Sequence, residues 1–548
     1  MAGLQGIAIH SDKMPHTEQT AAQACRQPMN TPNLTSVLLI DHLNRTLQNP
    51  TASQRWHALL ETYVAETNEE LKSRVRARLA AGVTKQGIPG FMLTTFLFEV
   101  TGDVSRLIEA AALLQTITPL DPDRLMAFCV YIWGIFIARG GGRLAFVDIL
   151  RKMCVPQLVA GMGVQVAERG MALFPPRRVE TIRKVALVAS YIGQDSHAPT
   201  PLALQHARLL RELGYEVMLF SPQELRVPDM AEYFGNSARL TTFPPNYAKL
   251  KASMPQGVEA ALSDDRFSLT RRWEDLLRSI AGFDPDLVMF VGLNSPLVSA
   301  LYQARPVLGL CVHAMQPMTP VDVWLTADQT QDGIAAPMWA PHLPPALGHY
   351  HPFRVQLKPA GDDLQRAGLG LREDAVVLLS VGARLHAEIE GPWAGRMIAL
   401  LQRHPDVQWL MVGGAAKRPD ILAALPEAQL PVQAYREDIR SVMRTADIYV
   451  NPPRVGGGFS VAEAMAEGLP VTAMQHSDGG DKIGGAAADG LDAYFADLEA
   501  LIADAGLRRR RGAAMRELFA QTLDLDNSSA SLRAACEASL AQYRKRVR

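Results

Sequence analysis

The apolar pattern of this chain changes its period once, near Arg183, and that change limits the fold more than any other feature. From about residue 36 to residue 175 the apolar residues recur at intervals of three and four, as in Trp56, Leu59, Leu60, Tyr63 and Val64, the spacing of one helix face. Strand-like alternation is scarce there, and no repeat of fixed period is visible. Beyond Arg183 the chain turns to short, continuous apolar runs with β-branched members. Residues 184–192 (KVALVASYI) form the first, followed by a helical stretch over 202–213, Gly214, and a second run over 217–220. Strands that are apolar on both faces belong to parallel sheets covered by helices on both sides.

The same alternation continues through residues 286–291 and 307–312. A proline-rich passage over 340–345 then leads to a second set of strands at 375–381, 409–412, 432–435, 446–450 and 470–474. The expected fold is α/β, with two Rossmann-like doubly wound domains preceded by an all-helical N-terminal domain. The boundaries follow: 1–35 a poorly ordered N-terminus rich in Gln, Thr and Pro; 36–178 the helical domain, serving acceptor recognition or assembly; 179–350 the N-terminal doubly wound domain; 351–548 the C-terminal one with closing helices. In such sheets ligands sit outside the carboxyl ends of the strands.

Composition excludes several classes. The chain has 548 residues, 48% of them hydrophobic and 20% charged, with a net charge of -1, so nothing biases it toward nucleic acid. Two basic clusters, Arg508 to Arg511 and the tail Arg544-Lys545-Arg546-Val547-Arg548, read first as solvated helix faces. A peripheral membrane contact through them and homo-oligomerisation are left open. Five cysteines without CxxC spacing (Cys25, Cys129, Cys154, Cys311, Cys536) argue for a reducing compartment and against a zinc site. The N-terminus lacks the pattern of a secretory signal. The most apolar run, residues 125–138, falls short of the roughly twenty residues of a membrane-spanning helix and reads as a buried one. The expected location is cytoplasmic.

Residues 451–471 (NPPRVGGGFSVAEAMAEGLPV) carry the most chemistry. A strand runs into a turn with two prolines, and three glycines (Gly456, Gly457, Gly458) remove the Cβ atoms that would block close approach. A helix expected to begin at Ser460 then offers its first N–H groups to an anion. A structural reading exists beside this one: Ser460 and Glu463 fit a capping box, which would only start the helix. Three consecutive glycines exceed what a turn needs, and the strand–turn–helix context is that of phosphate sites.

This segment resembles the nucleotide-sugar end of GT-B glycosyltransferases, similar in the C-terminal domain to the family-4-type, or group 1, enzymes. The resemblance implies that Gly456, Gly457, Gly458, Ser460 and Glu463 hold the donor, Glu463 meeting its ribose. In the retaining members a further glutamate stands eight residues before this one, where this chain has Val455, so only the second is carried over. The family's arginine after the first strand of the second domain aligns with Arg384 by a one-residue shift, and Glu390 stands where a lysine would precede Gly391. Lys417, Lys482 and Arg454 are substitutes of the right charge for a leaving diphosphate.

On the acceptor side, the loop after the first strand carries His197, the general-base candidate, with Asp195 close enough to orient it; a histidine capping the next helix is the structural alternative. His313 is a second candidate. It precedes residues 319–328, which resemble, more weakly, the corresponding region of bacterial adhesin-modifying N-glycosyltransferases and O-GlcNAc-transferase-like protein glycosyltransferases. The expected activity is a metal-independent hexosyltransferase moving sugar from a nucleoside-diphosphate sugar to a protein or glycan acceptor, with no cofactor, His197, Arg384 and Glu463 carrying catalysis. Alternatives are an inverting protein N-glycosyltransferase, a nucleotide-sugar epimerase and an inactive glycosyltransferase-like adaptor. Walker, zinc and nucleophile-elbow patterns are absent, as is a dinucleotide fingerprint after Ile192.

Overall fold

The computed structural model describes residues 33–117, 122–139, 143–170, 172–193, 199–227, 247–311, 315–327, 337–338, 342–357, 359–413, 417–454, 458–475, 477 and 479–547. Helices fill the first part, from α1 (Leu34–Gln48) to α8 (Val155–Gly170), with no strand among the described residues before Lys184. The apolar run over 125–138 falls inside α6 (Pro122–Arg139), where Leu125, Met126, Phe128 and Ile132 are buried. No helix among the described residues is long and apolar enough to cross a membrane.

Among the described residues twelve strands then build two sheets. The first contains β1 (Lys184–Ala189), β2 (Glu216–Ser221), β3 (Glu259–Leu262), β4 (Leu287–Val291), β5 (Val307–Leu310), β6 (Val323–Thr326) and β7 (Leu347–Tyr350), in the order β3-β2-β1-β4-β5-β6-β7. The second contains β8 (Val376–Val381), β9 (Val407–Val412), β10 (Val432–Gln433), β11 (Ile448–Val450) and β12 (Val471–Thr472), in the order β10-β9-β8-β11-β12. All paired strands are parallel. Both sheets reverse their strand order beside the first strand, which opens a crevice at its carboxyl end. β3, β6 and β7 were not anticipated from the pattern. β3 and β7 are four-residue edge strands with exposed positions, so they lack the double-sided apolar signature.

Why the strands read as continuous apolar runs is visible in their parity. Ala186, Val188, Phe220, Val288 and Phe290 point to one face and join a core that runs back through the helical domain to Leu39. Val185, Leu187, Ala189, Leu219 and Met289 point to the other face, against α9 (Pro199–Glu212) and the closing helix Ser529–Arg546. The helical domain is therefore continuous with one side of the first sheet. α8 lies on α11 (Leu269–Phe283) and α12 (Pro296–Leu301), and Gly163 approaches Ser299 so closely that a Cβ would stand 2.4 Å from its Cβ. Asp123 of α6 adds a polar tie, accepting the Leu269 N–H at 3.1 Å.

The chain crosses between the two sheets twice, and the crossings are bonded to each other. Arg354 and Val355 both donate to the Leu523 carbonyl at 3.1 Å, and Leu525 donates back to Val355 at 2.9 Å. Beside this link lie two fully buried histidines, His206 and His351, with ring centroids 5.8 Å apart. Two of the tail arginines, read as a solvated face, are bound within the molecule. Arg544 donates to the Val179 carbonyl at 3.1 Å, and Arg546 pairs with Asp322 at 2.9 Å while stacking on Tyr302.

Candidate functional site

The carboxyl ends of β8, β11 and β12 converge on one region of the second sheet. Two glycines allow it. Gly382 follows β8, and Gly413, at φ 128°, follows β9; a Cβ on Gly413 would stand 2.6 Å from the Gly382 carbonyl oxygen. The loop after β11 begins with Asn451-Pro452-Pro453-Arg454, and the next helix is Gly458–Ala466. It starts two residues before the expected Ser460. Ser460 is thus the third residue of the helix, and its hydroxyl turns toward the sheet. It accepts from the buried Tyr449 hydroxyl at 2.8 Å and lies 3.5 Å from the Val381 carbonyl. The helix ends as the Gly468-Leu469-Pro470 sequence dictates: Gly468 takes φ 78° and donates to Met465, and Leu469 donates to Ala464, a Schellman closure.

Arg454 is the centre of this region. Its side chain is only 4% exposed and spans three elements, donating from Nη2 to the Val381 carbonyl at 2.8 Å, from Nε to Asn451 Oδ1 at 3.1 Å and from Nη1 to Glu388 Oε2 at 3.0 Å. Glu388 also takes Arg384, whose Nη2 lies 2.9 Å and Nε 3.0 Å from Oε1. The structure thus links Arg384 and Arg454 through Glu388 and brings Arg454 and Ser460, in the first turn of the helix that starts at Gly458, to the Val381 carbonyl. Glu463 is half-buried on the same helix, and Lys482 is half-buried on the short helix Gly480–Ile483, which packs against it. Lys417 stands apart after β9, exposed, 3.9 Å from Asp420. Asp195, His197, His313, Gly456 and Gly457 lie outside the described residues.

Three residues here escaped the sequence reading. Glu388 had a local signal, an opposite charge four residues from Arg384 on a helical turn. Asn451 and Tyr449 had none, since their roles depend on strands meeting. Asn451 is fully buried; Arg454 holds its Oδ1 while its Nδ2 has no hydrogen-bond partner.

On the first sheet, Glu224 follows β2 and is fully buried, receiving Trp273 Nε1 and Ser295 Oγ, each at 2.9 Å. Burial pushes its carboxyl up to about 8, against hydrogen bonds that act the other way. The neighbouring Gln223 holds a left-handed φ of 54° and donates to the Ile192 carbonyl at 3.1 Å, so the loops after β1 and β2 are locked together.

A helical region followed by two parallel doubly wound domains is the GT-B architecture of glycosyltransferases. Residues 375–505 match the family model described as glycosyl transferases group 1. Among solved structures the chain is similar to a mutant of the Thermobaculum terrenum O-GlcNAc transferase, at 13% identity and a TM-score of 0.51, covering 93% of this chain and 98% of that one. It is also similar to WaaG, a glycosyltransferase involved in lipopolysaccharide biosynthesis, at 16% identity, 64% and 98% coverage and a TM-score of 0.37. A putative UDP-N-acetylglucosamine 2-epimerase from Listeria monocytogenes shares 12% identity, with 66% and 98% coverage and a TM-score of 0.44. No curated protein matches the chain.

Proposed function

We propose that the protein transfers a hexose-type sugar from a nucleoside-diphosphate sugar to a protein or glycan acceptor, without a metal ion or cofactor. The observation that carries the reading is the meeting of Arg384, Arg454 and the start of the helix Gly458–Ala466 at the carboxyl end of β8, inside the segment that matches group 1 glycosyl transferases. Cleaving the bond from sugar to diphosphate leaves negative charge on the departing phosphate, and an arginine with a helix N-terminus stabilises that charge in place. Glu463 accepts ribose hydroxyls. His197, oriented by Asp195, removes the acceptor's proton, with His313 as the alternative base. The helical domain, sharing its core with the first sheet, borders the acceptor side.

The test incubates the purified chain with UDP-, GDP-, ADP- and dTDP-sugars and a protein and glycan extract, in chelator. Nucleoside diphosphate released only when acceptor is present, together with a hexose mass added to an acceptor, is the expected result. Conversion of the sugar without an acceptor would replace transfer by epimerisation. Binding without any turnover would leave an adaptor, and strict dependence on Mg²⁺ or Mn²⁺ would remove the metal-free mechanism.

A further inference from the structure

Two guanidinium groups of the donor region converge on a single carboxylate, a placement that an anion-binding site does not need for stability alone. Arg384 uses Oε1 of Glu388 and Arg454 uses Oε2. The three groups differ in exposure: Arg454 is 4% exposed, Glu388 15% and Arg384 47%. All three nitrogens of the Arg454 guanidinium are engaged by Val381, Asn451 and Glu388, so this arginine works as a strut between the loops after β8 and β11. Arg384, by contrast, faces solvent at the mouth of the crevice. Its aim is set by Glu388 four residues on, in the helical turn Leu385–Glu388.

A negative charge this close to a diphosphate repels it. Simple electrostatics therefore says that removing the carboxylate strengthens anion binding. The geometry points to the opposite outcome: Glu388 is a positioning residue that holds the Arg384 guanidinium, through Oε1, where it meets the diphosphate of the donor. Arg454 anchors the carboxylate from behind. Holding a long side chain in one geometry before the ligand arrives lowers the ordering cost of binding, and this gain exceeds the repulsion from a carboxylate already neutralised by two arginines. The inference deepens the donor-site reading above and rests on it.

The sign of one substitution decides between the two. Titration calorimetry of the full chain with UDP, and with GDP, ADP and dTDP in parallel, gives dissociation constants, and a thermal melt without ligand reports the fold. Glu388→Gln should weaken binding of the preferred nucleotide roughly tenfold to a hundredfold, the scale of one charged hydrogen bond. Arg384→Ala should do the same, and the double variant should lose little more than either alone, because both act through one contact. Glu388→Asp should recover part of the affinity. Equal or tighter binding by Glu388→Gln, or additive losses in the double variant, would overturn the assignment while leaving the donor site intact. If Glu388→Gln fails to melt cooperatively, Glu388→Asp carries the test: an affinity between those of wild type and Arg384→Ala is expected, and binding tighter than wild type overturns the assignment. A wild-type chain that binds none of the four nucleotides removes the donor-site reading and this inference with it.

Discussion

Glu224 and the histidine pair beside the crossings put opposite slopes into the stability of this molecule. The folded Glu224 carboxyl titrates at about 8, above its ordinary value of 4.5, so its contribution is complete below about 4.5 and is lost as pH rises toward 8. His206 moves the other way. Burial holds it at about 3 and His351 well below 6.5, so both stay neutral in the fold, and stability falls once pH drops below 6.5 and the unfolded chain takes up their protons. The groups around them reinforce this: Arg354 and His349 disfavour a charge on His351, and the Arg208–Asp526 pair stands nearby at the crossing. Urea denaturation at pH 5, 6.5 and 8 should show wild type losing stability from 6.5 to 8 and Glu224→Gln losing less; between pH 5 and 6.5 the Glu224 and histidine slopes oppose each other in wild type, so the variant should gain more stability over that interval than wild type does. Identical alkaline limbs would show that Glu224 is ionised without penalty. At the donor site, Glu463→Gln keeps the helix and removes a carboxylate. Donor affinity should fall by about 1.5–3 kcal/mol, measured by calorimetry with the preferred nucleotide sugar, and an unchanged affinity would take Glu463 out of ribose recognition.

At the scale of elements, the glycine-loop helix is held from behind by the helix Ala505–Thr522. Gly512 of that helix lies so close to the Gly468 turn that a Cβ would stand 2.0 Å from the Gly468 carbonyl oxygen, and Arg516 donates to the Glu467 carbonyl at 2.8 Å. Two effects compete in Gly512→Ala. Helix propensity favours alanine by about 1 kcal/mol, whereas forcing an atom into a close-packed contact costs roughly 1–3 kcal/mol. The obstacle here is backbone, which cannot swing away as a side chain would, so the packing cost should win. Chemical denaturation should show a net loss of stability of up to about 2 kcal/mol. A variant more stable than wild type would mean that the two helices slide apart freely, and that the turn is not fixed by this contact.

Across the whole molecule, the helical region is part of the folded core. Trp273, Leu276, Leu277, Leu297 and Leu301 of α11 and α12 are buried in the same cluster as the helices before them. A chain beginning near Arg178 would present this apolar surface to water, a patch far larger than a monomer tolerates. Expressed alone, residues 178–548 should therefore aggregate or melt without a cooperative transition. A monodisperse, cooperatively melting fragment in size-exclusion chromatography and calorimetry would show that the two parts fold independently. The two bonded crossings at Val355 and Leu523 form the natural pivot if the sheets close on a donor, since few residues there have to change conformation.

Local order in the chain was enough to determine the helical region, the switch to parallel sheets near residue 183, and the resemblance of the C-terminal segment to group 1 glycosyl transferases. Each of these is written in spacing over a few residues: a period of three to four, a double-sided apolar run, three glycines before a helix, a Gly-Leu-Pro stop. The short edge strands β3 and β7 escaped because none of their side chains is fully buried and most of them face water. The working arrangement of the charges was decided only by the tertiary structure. Arg454 meets Glu388 across 66 positions of sequence and Val381 across 73, which happens because β8 and β11 are neighbours in the sheet. Burial of Glu224, His206 and His351 likewise follows from packing against elements far along the chain. Spacing records what a residue's own helix or strand requires; which charge it will meet depends on strand order, and that is settled when the sheets assemble.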